Sequence, residues 1–73
     1  MSEYPTEIRK LVDIAADREL PPDLRTKATE QLGSIGNREA LLALLELAAN
    51  EGLVAEERDF ALQEAREIIM SGH

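Results

Sequence analysis

The 73 residues have room for one small domain, and without Cys neither a disulfide nor a thiolate metal site can tie it together. Hydrophobic residues make up 44% of the chain and aromatics only 3%, so 11 Leu and 10 Ala must build the core, a helical composition poor in strand formers. Fifteen acidic against eight basic residues give a formal charge of −7, and no basic cluster exceeds Arg9-Lys10, which argues against nucleic acid or anionic lipid as a partner.

Periodicity and breakers predict four helices. The first runs from about Thr6 to Arg18 with Ile8, Leu11, Val12 and Ala15 on one face, and Leu20-Pro21-Pro22 ends it. The second opens near Asp23, carries Leu24, Ala28, Leu32 and Ile35, and loosens at Gly33 and Gly36. Asn37 is placed to cap the third, which reaches about Ala49 with Leu41, Leu44, Leu45 and Ala48 inward. Asn50-Glu51-Gly52 stops it. The fourth covers about Val54 to Met70, with Ala61, Ala65 and Ile68 on its inner line. Short connections make sequence neighbours antiparallel neighbours in space.

A shift of 33 residues aligns the chain with itself. Leu11 meets Leu44, Ala15 meets Ala48, Ala16 meets Ala49 and Leu20 meets Leu53. Arg25 meets Arg58, Ala28 meets Ala61 and Ile35 meets Ile68, with Asp23 opposite Glu56. Generic heptads would not align turn acids and arginines as well as leucines. The chain therefore reads as two helical hairpins, about 4–36 and 37–70, stacked as an all-α domain.

Asp23-Leu24-Arg25-Thr26-Lys27-Ala28, followed by Leu32-Gly33-Ser34-Ile35-Gly36-Asn37, resembles the second helix and inter-repeat turn of a HEAT repeat. The stretch is most similar to the short bacterial HEAT-like repeats of the phycobilisome-lyase type, whose next helix is leucine-rich as Glu39 to Leu45 is here. The second copy keeps Glu56-Glu57-Arg58-Asp59-Phe60-Ala61, but Ala65-Arg66-Glu67-Ile68-Ile69 replaces the turn, as in a terminal, capping repeat. The resemblance implies a short α-α superhelix in which Arg25 and Arg58 support inter-repeat packing. The family name also suggests a bilin lyase-type accessory subunit, although no residue here supports chromophore chemistry.

From chemistry alone, each arginine is suited to bond carbonyls or acids at a neighbouring turn, Asp17 or Asp23 for Arg25 and Glu51 or Glu56 for Arg58. His73, the single histidine, stands at the end of the sequence, a poor position for a base or ligand. Ser2, Ser34 and Ser71 have no histidine placed to activate them. Asp13, Asp17, Glu56, Asp59, Glu64 and Glu67 form helical acid pairs without the Glu-x-x-His of carboxylate metal sites, and read as solvated faces. Gly33-Ser34-Ile35-Gly36 lacks the lysine of a phosphate loop. No catalytic residue, metal or cofactor is expected.

The repeat alignment exposes an asymmetry. Leu42 and Ala43 stand where the first copy has Arg9 and Lys10, and Phe60 stands where it has Lys27. Leu42 and Phe60 are therefore candidate contact residues, not necessarily on one face, for another protein or a second copy of the chain. Charge adds a second possibility: residues 37–73 hold 8 acids and 3 bases, against 7 and 5 in residues 1–36, so a basic partner would be steered to the C-terminal half. The expected function is a non-enzymatic interaction module or adaptor, with an acidic inhibitor of a basic protein as the alternative. With no basic-then-apolar leader at Met1 to Pro5 and no apolar run longer than Ala40 to Leu45, a cytoplasmic location is expected.

Overall fold

The structure, a computed structural model, describes residues 4–71. Four helices account for it: α1 (Thr6–Ala16), α2 (Pro22–Ile35), α3 (Arg38–Ala48) and α4 (Ala55–Met70). Each boundary has a local cause. Asp17 leaves the helical region at the end of α1, two residues before the expected stop, and its Oδ1 accepts the Glu19 N–H at 3.0 Å. Pro22 opens α2 at a position where a missing N–H costs nothing.

Gly36 closes α2 in the left-handed conformation, φ 66°, and its N–H reaches the Leu32 carbonyl at 3.2 Å. Asn37 then caps α3, its Oδ1 accepting the Ala40 N–H at 2.8 Å. After α3, Asn50 accepts the Gly52 N–H at 2.8 Å and turns the chain back. Glu56 and Glu57 lie in the first turn of α4, where carboxylates favour the helix dipole. No described helix is long and apolar enough to cross a membrane.

α1 pairs with α2 and α3 with α4, giving two hairpins. They stack with α1 on α3 and α2 on α4, while α2 also meets α3; α1 and α4 do not touch. The two-layer stack is thus sheared along one diagonal. Its core joins Ile8, Leu32, Leu44 and Leu47 to Ala28, Ala40, Ala43, Ala61 and Ala65, and those small side chains let the helices approach closely.

The inward faces of α1 and α4 are as expected, with Ile8, Ala15, Ala61, Ala65 and Ile68 buried. Two expectations are corrected. Leu24 is 47% exposed on α2, outside the core. On α3 the buried set is Ala40, Ala43, Leu44 and Leu47, whereas Leu45 is 39% exposed. The reason is that α3 packs on α1 and α2 as well as α4, so its buried arc turns toward the first hairpin. Ala43, expected in an exposed patch, is fully buried there.

The offset between hairpins is not uniform. α1 and α3 each span 11 residues and start at Thr6 and Arg38, an offset of 32, while α2 and α4 start at Pro22 and Ala55, an offset of 33. The connection 49–54 is one residue longer than 17–21, which absorbs the difference.

Candidate functional site

Near the connections inside the two hairpins, α2 and α4 part to leave an open-sided cleft of about 490 Å³. Arg25, Thr26 and Thr29 of α2 line one side and Glu56, Glu57 and Phe60 of α4 the other, with Ala15, Leu47 and Leu53 supplying apolar surface. Its volume falls within the range of small-ligand sites.

Arg25 dominates the polar geometry. Its Nη1 is paired with Glu57 Oε2 across the hairpin junction, and its Nε donates to the Leu20 carbonyl at 3.1 Å. The two side chains are only 13% and 23% exposed, so water and salt screen the pair far less than a surface bridge. Thr29, buried, donates its hydroxyl to the Arg25 carbonyl at 3.1 Å and so removes its own polar penalty. The second carboxylate oxygen of Glu57, Oε1, is buried with no donor among the described residues.

Asp17 and Asp23 do not serve Arg25. Each accepts a backbone N–H of its own turn at 3.0 Å, from Glu19 and Leu24 respectively. Arg58, one hairpin later, is half-buried and forms no ion pair with Glu51 or Glu56; its Nε is buried without an acceptor among the described residues. Further along the junction, the Glu64 carboxylate lies over Gly33, occupying the space a Cβ there would need. Burial, reinforced by Glu67 and Glu30, holds the Glu64 carboxyl above its usual 4.5.

Phe60 is half-buried and lines the cleft, whereas Leu42 is 43% exposed on α3 and takes no part in it, so the structure does not bring the two together. Leu45, Leu62 and Ile69 are further exposed apolar side chains of the second hairpin. Sequence reasoning missed Glu57 and Thr29. Glu56 and Glu57 look equivalent in the sequence, and only the docking angle of α4 selects one; Thr29 has no distinguishing pattern.

Ser34 is exposed, and the Ser71 hydroxyl donates to the Ile68 carbonyl at 2.7 Å. Among the described residues no three His, Cys, Asp or Glu side chains converge as a metal site would require. Ser2 and His73 lie outside the described residues. The arrangement combines a paired Arg–Glu, a carboxylate oxygen without a donor among the described residues, and exposed leucines on α3 and α4. Compared with known protein families, with curated proteins and with solved structures, the chain matches none of them.

Proposed function

We propose that the chain is a non-enzymatic protein-interaction module built from two HEAT-like hairpins. The observation that carries this reading is the set of large apolar side chains held outward on packed helices, with Leu42 43%, Leu62 41% and Ile69 58% exposed. Large apolar side chains left in water on one hairpin are surface that a partner can cover, and their covering would add apolar burial to a small core. Stacked hairpins supply the rigidity that such recognition needs.

The charge distribution favours a second reading. The acids Glu46, Glu56, Asp59 and Glu67 are exposed on the second hairpin and would attract a basic protein. An inhibitor of that kind would associate at a rate that falls steeply with salt, whereas an apolar docking surface would show little salt dependence.

Affinity capture from native cells with the wild-type chain, Leu42→Arg and Phe60→Lys, alongside sedimentation of each, tests the main reading. The wild type should retain a partner, or a second copy, that at least one variant loses while its circular dichroism is unchanged. A chain that captures nothing and sediments as a monomer at every concentration would sink the reading.

A further inference from the structure

The face of the second hairpin that points away from the first is the place where a partner's chemistry can be read. Glu57 and Glu64 of α4 face α2, through the Arg25 pair and the Gly33 contact. At 3.6 residues per turn, the opposite side of α4 then carries Leu62, Arg66 and Asp59, with Ile69 and the half-buried Arg58 on its flank beside the buried Ala65. Ala43 and Leu47 of α3 are buried toward the first hairpin, so the matching side of α3 carries Arg38, Leu41 and Leu45. Leu45, Leu62 and Ile69 are 39%, 41% and 58% exposed along this face.

Charge on the second hairpin is segregated. Residues 37–73 contain three bases, Arg38, Arg58 and Arg66, and all three belong to this outward face. Of the hairpin's acids only Asp59 shares that face, next to Arg66; Glu57 and Glu64 face α2, Glu39, Glu46, Glu56 and Glu67 lie on the remaining sides, and Glu51 lies in the connection before α4. None of the three arginines forms an ion pair among the described residues, and the buried Nε of Arg58 lacks an acceptor. In the first hairpin the corresponding face is covered by the second, and there Arg25 meets the carboxylate of Glu57. The uncovered face repeats that arginine and lacks the carboxylate.

The geometry points to an interaction surface for an acidic amphipathic helix, one whose aliphatic stripe covers Leu45, Leu62 and Ile69 while flanking carboxylates reach Arg38, Arg58 and Arg66. The inference rests on the interaction-module reading and specifies its surface and partner chemistry. A basic helix is disfavoured here because it would bring cations against three uncompensated arginines. A second copy stacked on this face with its first hairpin would place Leu24, the counterpart of Glu57, opposite Arg58 and leave it unsatisfied.

The test is an NMR titration of the full chain with a synthetic helical peptide of about 18 residues, bearing Leu at every third or fourth position flanked by Glu, and with the same peptide carrying Lys for Glu. Amide shifts at Leu45, Leu62 and Ile69 and a shift of the Arg58 side-chain N–H are expected with the acidic peptide, with binding of the Lys peptide weaker by about tenfold or more. Leu62→Glu and Arg66→Glu, both at exposed positions, should each weaken the acidic peptide by about fivefold or more with no change in Tm. Shifts confined to the Arg25–Glu57–Phe60 cleft would overturn this surface and leave the interaction-module reading standing. Equal or tighter binding of the Lys peptide, or no shift at millimolar peptide, would overturn it as well. So would self-association abolished by Leu62→Glu, which would make a second copy the occupant.

Discussion

Arg25 and Arg58 hold the same place in their two hairpins, yet their surroundings have little in common. Arg25 ties the α1–α2 connection, α2 and α4 together through Leu20 and Glu57. Arg58 keeps a buried nitrogen without an acceptor among the described residues. Down the same helix faces, Thr29 and Gly33 of α2 face the stack where α4 has Leu62 and Arg66 exposed. One hairpin is shaped to be covered from within the chain: its junction residues are small or already satisfied. The other carries large and charged residues on the corresponding surface. Position within a hairpin therefore does not set a residue's surroundings; whether the next layer is present does.

The widest test of this comparison lies in the core, where the hairpins should behave as one cooperative body. Leu32→Ala and Leu44→Ala remove fully buried side chains, one from each hairpin, and each should cost about 2–5 kcal/mol in urea unfolding. Two separate transitions in either variant would show that the hairpins unfold independently. The arginines give a sharper contrast. Arg25→Ala strands a mostly buried carboxylate and should cost about 2 kcal/mol, whereas Arg58→Ala should cost less than about 1 kcal/mol. Equal losses would erase the distinction between a covered and an uncovered junction.

The glycine inside α2 and the one that closes it separate conformation from space. Gly36→Ala forces a side chain into the left-handed region and should cost about 1 kcal/mol by thermal unfolding. At Gly33 the backbone is helical and a new Cβ meets chiefly the flexible end of Glu64, so Gly33→Ala should stay within about 0.5 kcal/mol as helix propensity offsets the displaced carboxylate. Glu64→Gln gives the smallest and most conditional effect. Because the folded carboxyl titrates above 4.5, the ionised form is a penalty at neutral pH that is relieved as pH falls through the folded pKa. Glu64→Gln should raise Tm at pH 7, and its advantage should vanish by pH 4; an advantage that grows on acidification would reverse the assigned sign.

The helices were legible because their punctuation is strong: Pro21-Pro22, Gly36-Asn37 and Asn50-Glu51-Gly52 each stop or start a helix by a local mechanism. The orientation of α3 was not. Leu41, Leu42, Leu44, Leu45 and Leu47 are nearly alike in hydrophobicity, so no periodicity picks one arc over another. α3 follows α1 at an offset of 32 and not the 33 that a single shift assumes, so Ala43 takes the place of Leu11 and not that of Lys10, and is buried. The Arg25–Glu57 pair depends on the crossing of α2 and α4, a tertiary quantity. The outward face became visible only when the contacts of Glu57 and Glu64 showed which side of α4 is turned inward.

The missing contact between α1 and α4 has a dynamic consequence. The outermost helices communicate only through α2 and α3, so opening of α1 removes packing from those two and none directly from α4. Amide exchange in α1 should therefore proceed through partial openings that leave the α3–α4 pair closed. The outward arginines and leucines would then sit on helices that stay paired while α1 opens, so their surface outlasts the loss of α1.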